Sequence, residues 1–92
     1  MGQMPVEADG ITVTVRYFAA AHAAAGAESE TLVVRPGATV AELVARLAVR
    51  GTRLATVLSR CSYLCGGIAV RDKTAPLRSG DTIDVLPPFA GG

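Results

Sequence analysis

The residues whose types and spacing could do chemistry in this chain of 92 residues are few, and one stretch dominates them. Asp84-Val85-Leu86-Pro87-Pro88-Phe89-Ala90-Gly91-Gly92 is a strand-like run that meets two prolines, passes one aromatic and stops on two glycines. A stiff segment followed by residues without side chains reads as an end built for insertion into another site. Elsewhere, Cys61 and Cys65 stand at C-x3-C spacing and His22 is the single histidine. A structural zinc site needs about four ligands, so this pair with one distant histidine predicts no metal site and two ordinary packing thiols. Two cysteines do not make a disulfide framework either, and a reducing compartment keeps them as thiols. His22 lies in an alanine-rich segment with no Ser/His/Asp grouping around it, so it is expected to be an exposed helix residue. Nothing supplies a general base, a metal or an oxyanion donor set.

Half of the residues are apolar, 18% are charged and the net charge is +1. Disorder is excluded by that balance, and phosphate binding would leave a clear basic excess, so no nucleic-acid partner is expected. Arg46, Arg50, Arg53 and Arg60 are read as solvated helix-face charges. A bilayer span requires ~20 apolar residues and no run approaches that length. The N-terminus has no basic region followed by an apolar core, so no membrane partner is expected and the location is read as cytoplasmic. One domain is expected, burying roughly 60–65% of the surface that the unfolded chain exposes.

The elements that must position the terminal stretch follow in order. Residues 1–9 show no periodicity and are expected to be a flexible leader, with one domain over 10–86 and an extended tail over 87–92. Ile11 to Phe18 alternates, placing Ile11, Val13, Val15 and Tyr17 on a buried face and Thr12, Thr14, Arg16 and Phe18 on the other. Phe18 is the odd member, a large apolar group among threonines and an arginine. Ala19 to Ala25 forms a short helix that Gly26 closes. Ser29 to Arg35 is a second strand, with either Leu32 and Val34 or Thr31 and Val33 inward, and Pro36-Gly37 suits a type II turn. Thr39-Val40-Ala41-Glu42 is a capping box. It starts a helix with Val40, Leu43, Val44 and Leu47 on one face and Gly51 as its stop. Thr52 caps a further short helix carrying Leu54, Val57 and Leu58.

Two short strands, Ser62 to Cys65 and Ile68 to Val70, flank a turn at Gly66-Gly67. Leu77 is an apolar plug in a polar connection, and Ser79-Gly80-Asp81 turns the chain into its last strand. There Ile83 and Val85 point inward and Leu86 and Asp84 outward. Strands with helices on one side make an α+β fold, while periodicity leaves the strand order open.

Several of these stretches carry a resemblance. Val15-Arg16-Tyr17-Phe18-Ala19, Thr39-Val40-Ala41-Glu42-Leu43, and Ser79-Gly80-Asp81-Thr82-Ile83 followed by Leu86-Pro87-Pro88-Phe89-Ala90-Gly91-Gly92 resemble the small-subunit family of molybdopterin synthase. These are sulfur carriers with a ubiquitin-like β-grasp fold. The resemblance spans almost the whole chain beyond the leader and departs from the family pattern at Cys65-Gly66-Gly67, where an asparagine-containing turn is expected. It implies that the first and last strands lie parallel at the centre of a mixed sheet, with the main helix packed on one face. Phe18 and Leu86 would then leave neighbouring strands at the same end and, with Phe89, form an apolar partner-binding patch beside the tail.

The family's activity implies that the α-carboxylate of Gly92 is the reacting group. An E1-like adenylating enzyme would activate it with ATP, and a sulfur donor would convert it to a thiocarboxylate. That sulfur would go to a pterin precursor held by the large synthase subunit, in a heterotetramer of two small and two large subunits, with no cofactor bound to this chain. The chain itself would be non-catalytic. Glycine at Gly91 and Gly92 then has a reason, since a carboxylate that enters two active sites through narrow channels tolerates no side chain near it. Pro87 and Pro88 would hold Ala90 and the glycines extended, away from the body, and leave less ordering entropy to be lost on insertion. Two alternatives stay open: a sulfur carrier for thiamin or cysteine synthesis, and a ubiquitin-like modifier or interaction module. Arg16-Tyr17-Phe18-Ala19 and Leu86-Pro87-Pro88 favour the first reading.

Overall fold

The computed structural model describes residues 10–88. The leader 1–9 and the tail positions Phe89, Ala90, Gly91 and Gly92 lie outside the described residues, and with them the expectations placed on them. The elements are β1 (Ile11–Tyr17), α1 (Ala20–Ala25), β2 (Ser29–Val34), α2 (Val40–Ala48), α3 (Thr52–Leu58), β3 (Ser62–Cys65), β4 (Ile68–Ala69) and β5 (Thr82–Leu86).

Alternation along β1 does what its pattern predicts, burying Val13, Val15 and Tyr17 and exposing Arg16. Its antiparallel register with β2 sets Val13 opposite Leu32 and Ile11 opposite Val34. Directly paired residues share a sheet face, so this register decides that Leu32 and Val34 point inward while Thr31 and Val33 face out. The five strands run in the order β2-β1-β5-β3-β4. The central pair, β1 and β5, is parallel, with Val15 opposite Ile83 and Tyr17 opposite Val85. The remaining pairs are antiparallel. This mixed sheet with helices on one face is the ubiquitin-like β-grasp, an α+β fold.

The core lies between that face and the helices. Val13, Val15, Ile83 and Val85 meet Leu43 and Leu47 of α2 and Leu54 and Leu58 of α3 in one buried cluster. Fully burying a leucine or valine side chain is worth about 1.5–3 kcal/mol, so these positions dominate the packing. The Thr39 hydroxyl accepts the Glu42 N–H at 3.1 Å and the Glu42 carboxylate accepts the Thr39 N–H at 3.0 Å, completing the capping box. At Pro36-Gly37 the turn closes with the Ala38 N–H donating to the Arg35 carbonyl at 3.0 Å, and Gly37 takes the φ of 86° that the second central position requires. Leu77 is buried as expected, its N–H donating to the Ala38 carbonyl at 2.7 Å. That contact carries the long connection back across the molecule to the start of β5.

Three expectations are corrected. Gly51 does not stop α2, which ends at Ala48 with Val49 in right-handed conformation; Gly51 instead precedes α3 in extended backbone. Thr52 is accordingly the first residue of α3 and not its cap, and its carbonyl accepts the Thr56 hydroxyl at 3.0 Å. Arg50 is not a free solvated charge: it donates to the Glu30 carboxylate at 2.5 Å, where the Tyr17 hydroxyl also donates at 2.5 Å. Arg46 donates to the Val33 carbonyl at 2.6 Å, tying α2 to β2. Glu30 faces the helices because its register partner Val15 does, and the segment leaving α2 delivers Arg50 there.

Candidate functional site

The site is built from the ends of the two central strands. The Phe18 N–H donates to the Val85 carbonyl at 3.2 Å, extending the parallel pairing one residue beyond β1. Phe18 and Leu86 therefore emerge side by side where the chain leaves the sheet toward its terminal stretch. Phe18 is 38% exposed and Leu86 is half-buried. Both stand on the face opposite the helices, as the β1 alternation and the pairing of Leu86 with exposed Ser62 require.

One row deeper on the same face lie Arg16 of β1, Asp84 of β5 and Leu64 of β3, aligned by register. Asp84 faces outward as expected, yet it is buried. It sits on the central strand with neighbours on both sides, and it is paired: Arg16 Nε donates to Oδ1 at 2.6 Å and Nη2 to Oδ2 at 3.0 Å. The neighbouring carboxylate raises the Arg16 pKa further above its ordinary value, first through the hydrogen bond and then through charge. The Arg16 guanidinium also lies over the Phe18 ring, 5.4 Å from its centroid, a cation–π contact. An arginine and an aspartate in outward positions of two separate strands were visible signals, but only the strand order makes them neighbours.

Ala19 explains how Phe18 stays outward while the next residues turn inward. Its backbone has φ 51° and ψ −127°, a region L-residues rarely adopt, and it is the one non-glycine residue with positive φ among the described residues. The reversal there lets the Phe18 carbonyl accept the N–H groups of Ala21 at 3.0 Å and His22 at 3.4 Å, which starts α1. Ala21 is then buried and His22 exposed, as expected for the histidine. Beside Phe18 opens a cleft of about 320 Å³, lined by Arg16, Ala19, His22, Glu28 and Ser29 among others.

Strand pairing ends at Leu86, ahead of the prolines, as expected. Pro87, however, is buried and not held off the body, while Pro88 is exposed. Both border a shallow, mainly apolar groove with Ala20, Thr56, Val57 and Arg60. The proline ring has no donor to satisfy, so it packs there without polar cost. The stretch is thus anchored through Pro87.

The cysteines remain separate thiols, both partly buried. Cys61 Sγ donates to the Val57 carbonyl at 3.2 Å, and burial pushes both thiols above their ordinary pKa, which disfavours thiolate chemistry. Among the described residues no three His, Cys, Asp or Glu side chains gather as a metal site, and no helix is long and apolar enough to cross a membrane.

Known proteins share sequence and fold with this chain. The ThiS family matches residues 15–92. A Chlamydomonas reinhardtii protein described as a molybdopterin synthase sulfur carrier subunit is 32% identical over 82 residues, covering 87% of this chain and 98% of that protein. The solution structure of a Haloferax volcanii protein superposes with a TM-score of 0.79 at 29% identity, over 90% of this chain and 88% of that one. Subunits 1 and 2 of the molybdopterin-converting factor from Helicobacter pylori were solved as a protein–protein complex, and a chain of it shares the fold at a TM-score of 0.66. Identity there is 24%, over 89% of this chain and 100% of that one.

Proposed function

This chain belongs to the ThiS family, and from that premise we propose that it is the sulfur-carrier small subunit of a molybdopterin synthase. The single observation that carries the reading is the 32% identity to a sulfur carrier subunit over nearly that protein's whole length. The geometry supports it: the central strand pair delivers the chain toward its Pro-Pro-Phe-Ala-Gly-Gly end beside an exposed aromatic.

In this reading a carboxylate oxygen of Gly92 attacks the α-phosphorus of ATP on an E1-like adenylating enzyme, releasing pyrophosphate. The acyl-adenylate is then attacked at its carbonyl carbon by hydrosulfide-level sulfur delivered by a donor, AMP leaves with the C–O bond electrons, and the C-terminus becomes a thiocarboxylate with no change of oxidation state. A carboxylate is a poor electrophile and a poor nucleophile; its adenylate accepts attack, and the thiocarboxylate is an anionic sulfur nucleophile at neutral pH. The chain thus stores activation that other proteins create and use. Its sulfur goes to the pterin precursor on the large synthase subunit, in keeping with the two-subunit complex of the Helicobacter pylori neighbour. Phe18, Leu86 and Phe89 grip the partners, Pro87 roots the tail, Pro88 and Ala90 carry it outward, and Gly91 gives clearance.

Co-expression with a molybdopterin-type activating enzyme and a sulfur donor, followed by intact mass measurement, tests this. The expected result is replacement of one oxygen by sulfur, lost when Gly92 is deleted. An unchanged mass would overturn the carrier role, and the large subunit that co-purifies identifies the pathway.

A further inference from the structure

The Arg16–Asp84 pair divides its charges unequally between body and solvent. The Asp84 side chain is 9% exposed and that of Arg16 is 52% exposed, so the anion lies in the sheet and the cation is presented outward. A guanidinium carries five N–H donors. Asp84 receives one from Nε and one from Nη2, and no other described residue receives a hydrogen bond from Arg16. Both Nη1 protons and one on Nη2 therefore point elsewhere. Because the guanidinium lies over the Phe18 ring, a partner that covers Phe18 also covers these donors.

Covering them has consequences for which partner fits. Buried N–H groups without acceptors cost free energy, more so on a cation, and an apolar surface shaped to seat Phe18 and Leu86 would leave three of them orphaned. A carboxylate matches the free edge of the guanidinium in charge and in its planar two-point geometry. Asp84 already holds the fork in one orientation, so little side-chain freedom remains to be lost on contact.

We propose that Arg16, oriented by Asp84, is a specificity-determining residue of the docking face and receives a carboxylate from the partner that seats Phe18 and Leu86. This rests on the sulfur-carrier reading, in which that partner is the large synthase subunit. The carboxylate selects partners that satisfy the guanidinium and rejects apolar surfaces of the same shape.

Calorimetric titration of the full-length chain with the large subunit from the same organism, at low and high salt, tests the assignment. The double variant Arg16→Leu/Asp84→Ala removes both charges together and leaves no orphaned buried carboxylate, so it is expected to melt like the wild type. Its affinity is expected to fall at least about tenfold, with a weaker salt dependence than the wild type shows. Arg16→Lys keeps the charge without the fork and is expected to fall between the two. Wild-type affinity in the double variant would overturn the proposal, as would a loss of affinity with unchanged salt dependence. If the double variant fails to melt cooperatively, full affinity in Arg16→Lys overturns it instead. Failure of the wild type to bind, together with no thiocarboxylate by mass, removes the sulfur-carrier reading and this assignment with it. Wild-type binding matched by the double variant removes only the role of Arg16.

Discussion

Ala19 should be improved by losing its only side-chain atom. Its φ of 51° with ψ of −127° is a conformation that glycine adopts freely and other residues at a cost of about 1–3 kcal/mol. Ala19 is exposed, so removing the methyl group forfeits no buried packing. Against the relief stands the greater freedom of glycine in the unfolded chain, about 0.4–1 kcal/mol. Ala19→Gly is therefore expected to stabilise the domain by about 1 kcal/mol, which for this size raises the melting temperature by about 4–8 °C. Urea denaturation is expected to show a later midpoint with an unchanged slope, the sign of altered stability without altered compactness. Ala19→Val is the opposing control, since a branched side chain in that conformation adds strain, and it is expected to melt below the wild type. A melting temperature for Ala19→Gly equal to or below that of the wild type would refute the strained turn and the account of how Phe18 is kept outward.

Phe18→Asp is expected to abolish binding to the large subunit while the melting temperature stays within about 3 °C, because the ring lies at the surface; unchanged binding would remove Phe18 from the docking face. Glu30→Gln is expected to cost about 1 kcal/mol at neutral pH, a modest value because Arg50 and Glu30 both keep contact with solvent. The Arg50 hydrogen bond, followed by that of Tyr17, holds the Glu30 carboxyl below its ordinary pKa against the opposing effect of burial. A depressed folded-state pKa stabilises above the unfolded value and loses that contribution as pH falls through the folded one. The stability gap between wild type and Glu30→Gln is therefore expected to close on acidification from neutral to below the ordinary carboxylate range in urea titrations, and a gap independent of pH would refute the ion pair.

What the sequence determined by itself were features set by neighbours along the chain. Alternation in Ile11 to Tyr17 and Thr82 to Leu86, the box of Thr39 and Glu42, and the Pro36-Gly37 turn follow from local sterics and short-range hydrogen bonds, and each appears where expected. The parallel central pair was legible through family resemblance, not through periodicity, which leaves strand order open. The ambiguous inward face of β2 was settled by its register with β1, since a shift of one residue exchanges faces. Gly51 was misplaced because a glycine after an amphipathic run serves equally to end one helix or begin the next, and local pattern does not separate them. Arg16 with Asp84 and Arg50 with Glu30 and Tyr17 lie far apart in sequence, and Pro87 packs beside residues from both α1 and α3. Charge pairing and proline burial depend on distances across the fold, so only the tertiary structure decided that the outward aspartate is buried, that its arginine faces solvent beside Phe18, and that the tail is rooted at Pro87.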